Sequence, residues 1–243
     1  MKFYPINLNL KDKKVLIVGA GKVALRKFRR LLLTEAKIKI VSPEFNHEFK
    51  SFLKRESEQY IFKKRKFRNK DLLGCFLVFA ATNNSELNQR ITFLAREKNI
   101  LVNTVDNAEI SDFTLPAIVN RGELLLTVST GSSLPALSKN VRKKMESDFG
   151  IEYQLLLDIM SENRAKIIEN IENDQLRKNI FRKIAAADFL IKIRDIIDNY
   201  NPQILANDNY NLKKTEYLAF KEEIKKEISY LIARAKNNQN SEL

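Results

Sequence analysis

The chain has 243 residues, 44% of them hydrophobic and 30% charged, so it is long enough to bury a sizeable core and too apolar for a disordered polymer. No apolar run approaches the roughly 20 residues that cross a bilayer, and Pro5 and Asn7 interrupt the stretch a signal peptide needs, which predicts a cytoplasmic protein. A single cysteine, Cys75, excludes an internal disulfide or a cysteine-cluster metal site, and the net charge of +13 raises the question of an acidic partner.

In chain order, the runs 14–19 (KVLIVG), 37–42 (KIKIVS), 60–67 (YIFKKRKF), 75–82 (CFLVFAAT) and 100–105 (ILVNTV) read as strands, with Cys75 a buried spacer in the fourth. Between the first two, Ala24, Leu25, Phe28, Leu31 and Leu32 share one helix face, leaving Arg26, Lys27, Arg29 and Arg30 largely outward. Leu87, Ile91, Leu94 and Ala95 do the same before the fifth strand. Strands alternating with helices predict an α/β, doubly wound parallel sheet covered on both faces. The pattern then changes to two apolar runs separated by NRGE, a β-hairpin, and from Leu134 to a C-terminal helical domain. Residues 201–211 read as a loop, a last helix covers about 213–236, and the tail frays. The charge comes without an aromatic-and-basic nucleic-acid motif, so neither nucleic acid nor membrane is the expected partner.

The first strand runs into Gly19, Gly21 and Ala24, the spacing G-x-G-x-x-A between strand and helix. Gly19 permits the tight turn, Gly21 admits a pyrophosphate to the backbone, and Ala24 packs the helix close. The helix N-terminus, with Lys22 and Val23 in its first turn, offers N–H donors and partial positive charge to an anion. This predicts a Rossmann-type domain that binds NAD. The acid that usually ends the second strand is absent; Ser42, Pro43 and Glu44 stand there instead, and no arginine stands by for a 2′-phosphate, which favours NAD over NADP. Glu35 or Ala36 occupies the place of a helix-ending glycine, which predicts some loss of stability.

Taken together, YPINLNLKDKKVLIVGAGKVALRK, VSPEF, FAATNNSELNQRI and VNTVDNAEISDFTLPAIVNRGELLLTVSTGSSLPALSKNVR resemble the precorrin-2 dehydrogenase family, which includes bifunctional dehydrogenase/ferrochelatases and the N-terminal part of siroheme synthase. The resemblance covers residues 3 to 148; beyond about Phe149 only helical character and NRAK remain similar, and the methyltransferase domain of fused siroheme synthases has no expected counterpart. It implies NAD-dependent oxidation of precorrin-2 to sirohydrochlorin, and in some members insertion of Fe(II). It also implies a homodimer built through the hairpin, hence a division into an NAD-binding domain (1–112), a dimerisation region (113–149) and a helical domain (150–243). A tetrapyrrole ringed by carboxylates gives the positive charge a purpose.

Asp106 follows the fifth strand, at the carboxyl end of the sheet, and occupies the position of the family's catalytic aspartate; a carboxylate there accepts the proton lost on oxidation. Its competing reading is a turn cap, with Asp112 the rival carboxylate. Asn103 either orients substrate or bonds backbone. Thr82 stands to touch cofactor, while Asn83 and Asn84 replace acids that family members often carry after this threonine. Ser129, Thr130 and Gly131 either hold a substrate carboxylate at a helix N-terminus or form a turn capped by Ser132 or Ser133. Arg121 and Arg142 either meet substrate carboxylates or stay solvated. His47, the one histidine, lies at the adenine end, and no residue set has metal-ligand spacing, so no resident metal is expected. Two rival classes remain. An NAD-sensing regulatory domain would need the missing second-strand acid, and a chelatase without redox chemistry would have no use for Gly19 and Gly21.

Overall fold

The computed structural model describes residues 3–55, 57–131, 133–200 and 214–240, so Ser132, the predicted loop 201–211 and the last three residues lie outside it. The chain divides into two compact units, Met1–Leu115 and Pro116–Leu243.

In the first unit, β1 (Lys14–Val18), β2 (Lys37–Ser42), β3 (Tyr60–Lys64), β4 (Leu77–Ala80) and β5 (Leu101–Thr104) form one parallel sheet in the order β3-β2-β1-β4-β5. Val18 pairs with Val41 and with Ala80, and Ala80 with Thr104, so the carboxyl ends of four strands finish level. The apolar runs of β1 and β4 reflect burial on both faces. One face carries α1 (Lys22–Leu31), whose Ala24, Leu25, Phe28 and Leu31 pack on Val15, Ile17, Ile38, Ile40 and Phe79. There Phe28 meets Phe49, Phe52, Tyr60 and Phe62 at centroid distances of 5.1–5.7 Å, three of the four rings edge-on. The other face carries α3 (Ser85–Arg96), with Ile91 and Ala95 against Leu16, Val18, Val78 and Val102. A four-residue helix, α2 (Lys50–Leu53), follows a single 3-10 turn between β2 and β3.

Where the sequence lacks a helix-ending glycine, Thr34 does the work: its hydroxyl donates to the Leu31 carbonyl at 2.7 Å and accepts from the Ala36 N–H. The third strand is shorter than its basic run because Arg65 turns out of the ladder to grip the buried carboxylate of Asp71 with two bonds of 2.7 Å. Lys39 and the Arg68 N–H complete that charge cluster. Cys75 is half-buried, its thiol donating to the Asp71 carbonyl, and burial raises it above the ordinary thiol value.

The two edges of the sheet are treated differently. Along β5, Val102 N–H donates to the Asp112 carboxylate at 3.0 Å, Asp112 N–H to Val102 O at 2.9 Å, and Thr104 N–H to the Ser111 hydroxyl at 2.9 Å. Along β3, Ile61, Lys63 and Lys64 stand exposed.

The second unit begins with an antiparallel hairpin, β6 (Ala117–Arg121) and β7 (Leu124–Val128), turned by Gly122 at a φ of +65°. Then follow α4 (Pro135–Asp148), α5 (Ile151–Asn170), α6 (Asp174–Ile184), α7 (Ala187–Tyr200) and α8 (Lys214–Asn240). Isoleucines dominate the helical core, including Ile159, Ile180, Ile193, Ile224 and Ile228, with Phe189 and Phe220 among them. The long helical stretch from 176 to 200 is broken at Ala185–Ala186, so that Ile180 and Ile184 before the break and Phe189, Ile193 and Ile197 after it all reach one core. Polar pairs join distant helices: Arg194 Nε on buried Glu152 at 2.7 Å, the neutral Tyr217 hydroxyl on Asp158, and Lys221 on Glu162.

Candidate active site

The glycine turn is built by exclusion. Gly19 has a φ of +103°, and a Cβ there would lie 2.1 Å from the Ala81 carbonyl oxygen, so β1 turns directly against the turn leaving β4. Gly21 is the N-cap of α1; a Cβ on it meets nothing within 4 Å, no side chain caps the helix, and its first turn holds no acid. Lys22 and Val23 are exposed beside it. An uncapped helix start with open space in front and a glycine at the approach fits a dinucleotide pyrophosphate.

At the end of β2, Ser42 is buried and its hydroxyl donates to the Glu44 carbonyl at 2.6 Å; Pro43 and Glu44 are exposed. At the end of β4, Thr82 shares its hydroxyl with α3's opening turn, 2.7 Å from Asn88 Oδ1 and 3.0 Å from Asn84 O. Asn84 caps α3 by accepting from Leu87 N–H at 2.8 Å, which gives one of the two asparagines after Thr82 a structural use.

Asp106 emerges exposed, two residues after β5, and accepts from Asn88 Nδ2 at 3.1 Å. Its rival is otherwise engaged: Asp112 binds Arg96 Nε at 3.1 Å with one oxygen and the Val102 N–H with the other. Asn103 points to the α1 face, where Lys27 Nζ donates to its Oδ1 at 2.8 Å and its Nδ2 donates to Phe113 O at 2.9 Å. Both ends of that amide are therefore taken inside the fold.

Lys27 corrects the outward reading of α1's basic residues. It is half-buried, with its ammonium 4.7 Å over the Phe79 ring. Burial first, then Arg30 and Arg26, pull it down to about 8. Its place was readable from spacing, because Lys27 follows Ala24 by three and precedes Leu31 by four. Asn88 was the other residue missed. It is fully buried and lies three before Ile91 and seven before Ala95, a polar residue on an apolar helix face.

In the second unit, Ser129 accepts from Gly131 N–H at 3.3 Å, and Ser133 N–H donates to Thr130 O at 3.1 Å. The N-cap of α4 falls on Leu134 with Pro135 at the first helical position, so Ser133 does not cap it. Arg121 reaches from the hairpin to the end of α4, donating to Phe149 O at 2.8 Å and Glu146 O at 3.1 Å, while Arg142 pairs with Glu146. His47 is exposed, and the described residues contain no group of three or more His, Cys, Asp or Glu arranged to hold a metal. None of the described helices is long and apolar enough to cross a membrane.

Residues 6–117 match a family model described as putative NAD(P)-binding. Siroheme synthase of Thioalkalivibrio sulfidiphilus is 33% identical over 184 residues, covering 76% of this chain and 37% of that protein. Siroheme synthase of Chromobacterium violaceum is 37% identical over 147 residues, 60% of this chain and 31% of its own length. The chain belongs to the siroheme synthase family. It spans about two fifths of the length of the curated family members it matches. Among solved structures, one titled SirC, precorrin-2 dehydrogenase, shares the fold, with a TM-score of 0.64 at 24% identity over 92% of this chain and all of that one.

Proposed function

We propose that this protein oxidises precorrin-2 to sirohydrochlorin with NAD as the acceptor. The observation that carries the reading is the joint arrival, at level strand ends, of a glycine turn open to an anion and an exposed carboxylate bonded, among the described residues, to Asn88. Gly19, Gly21, Lys22 and Val23 are the proposed hold on the pyrophosphate, with Ser42, Pro43 and Glu44 along the adenosine. Bound NAD supplies a two-electron acceptor for hydride. Oxidation of the reduced macrocycle also releases a proton, and Asp106 is the proposed base that takes it. Asp112 is a poor substitute, since its charge is spent on Arg96. The excess of cations, +13 overall, favours capture of a polycarboxylate, an attraction that salt weakens.

Three further proposals rest on the same reading. NAD is preferred over NADP, because Glu44 repels a 2′-phosphate. Entry of Fe(II) into sirohydrochlorin releases pyrrole protons, for which Asp106 is again the acceptor. The protein pairs as a homodimer through the hairpin and α4, where Leu125, Leu134, Leu137 and Val141 are exposed. The deciding experiment adds precorrin-2 and NAD to the purified protein and follows NADH at 340 nm on the order of minutes, typical enzyme turnover being about 10 per second. NADH formed in step with sirohydrochlorin is the expected result; dinucleotide binding without turnover would return the chain to the sensing class.

A further inference from the structure

We propose that Asn88 is a positioning residue for Asp106, holding the carboxylate in one orientation and linking it to the turn that packs on Gly19; the inference rests on Asp106 being the proton acceptor.

The buried amide has its two ends assigned by the main chain. Thr82 N–H is only a donor, so the amide atom 3.2 Å away is oxygen; Thr82 carbonyl is only an acceptor, so the atom 3.1 Å away is nitrogen. One N–H of Asn88 is spent there. The second runs to Asp106 Oδ2 at 3.1 Å and demands an acceptor, which a carboxylate provides. The other oxygen of Asp106 takes no hydrogen bond from the described residues, and the side chain is exposed.

One oxygen is thus anchored and the other is open to substrate. An aspartate on a loop samples several rotamers, and a proton acceptor that strays by about 1 Å loses on the order of a hundredfold in rate. Asn88 removes that freedom from a rigid platform, since its own backbone is the first turn of α3 and its side chain is fully buried. The platform also has a second attachment. Asn88 grips both the N–H and the carbonyl of Thr82, and the preceding Ala81 carbonyl is the atom against which Gly19 turns. The dinucleotide turn, the β4 turn and the carboxylate are therefore joined by consecutive contacts within one unit.

The test compares wild type with Asn88→Ala, Asp106→Asn and the double variant, measuring kcat, dinucleotide affinity by calorimetry and melting temperature. Asn88→Ala is expected to lose about ten- to a hundredfold in kcat with dinucleotide affinity within about twofold. In the Asp106→Asn background the same substitution is expected to cost nothing further, because a positioning residue has no effect once its target is gone. Equal losses in both backgrounds, or no loss in the Asp106 protein, overturn the proposal. Near-normal turnover of Asp106→Asn alone overturns the base assignment itself, a distinct failure. Should Asn88→Ala fail to fold, Asn88→Asp keeps an acceptor for the Thr82 N–H but sets two carboxylates together. Its melting temperature is expected to recover on adding Asp106→Asn, while turnover stays lost. Recovery of turnover by that exchanged pair shows that a carboxylate at either place suffices, which also overturns the proposal.

Discussion

The two units solve opposite problems with opposite materials. The sheet unit packs aliphatic residues on both faces, adds a cluster of aromatic rings on the α1 face, and gathers a polar network at one end, where Thr82 and Asn84, Thr82 and Asn88, and Asn88 and Asp106 are bonded. The helical unit has an isoleucine-rich core and spends its charges on joining helices, as in Glu152–Arg194 and Glu162–Lys221. Polar groups gathered at strand ends leave the Asp106 carboxylate exposed, whereas the pairs between helices tie one helix to another.

The largest expected effect comes from the two glycines. Gly19→Ala places a methyl on the Ala81 carbonyl and is expected to cost more than about 4 kcal/mol, unfolding the sheet unit while calorimetry still records a helical transition. Loss of both transitions together would erase the distinction between the units. Gly21→Asp, facing open space, is expected to leave melting unchanged and abolish dinucleotide binding by charge repulsion.

Next, Asp106→Asn is expected to lower turnover about a hundredfold or more while dinucleotide affinity holds, because the glycine turn is untouched. Steady-state kinetics and calorimetry on the same preparation read the two effects apart.

Third, Asp71→Asn is expected to destabilise the sheet unit by about 2–3 kcal/mol, since it leaves Arg65 and Lys39 without their buried partner. Those cations hold the Asp71 carboxyl well below its usual range, Arg65 first. Its contribution is therefore whole above the ordinary value near 3.8 and falls away as pH drops below it. Acid unfolding of the variant is expected to lose that dependence.

The smallest effect belongs to Lys27. Its amine is lowered from 10.5 to about 8, so its contribution to stability is whole above pH 10.5 and lost as pH falls towards 8. Allowing for its partial exposure, the wild type is expected to gain about 1 kcal/mol over that window relative to Lys27→Met. Parallel pH curves for the two proteins would place the amine in solvent.

Much of this was legible in order. The glycine spacing, the alternation of strand and helix, and Asp106 after β5 need only local pattern. Asn88 and Lys27 escaped because each is a polar residue at an apolar spacing; the spacing put them on the buried face, but only the tertiary partners show what satisfies them there. The break at Ala185–Ala186 has neither glycine nor proline to announce it; packing both halves on one core makes it. Arg121 likewise declares nothing in NRGE, since the helix end it caps lies 25 to 28 residues further on.

The unequal edges of the sheet bear on how this protein behaves in a crowded solution. A parallel sheet left open on one side is a template on which another chain can lay a strand. The β5 side is closed by its own returning loop, so losing Asp112 or Ser111 would uncover it. Within the sheet unit, β3 ends the ladder on the other side, and Lys63 and Lys64 stand there beside exposed Ile61. Lysines on an edge disfavour such pairing, because two copies meeting there would bring like charges together. Part of the chain's excess positive charge thus stands where a pairing strand would have to lie, the placement that discourages edge-to-edge association.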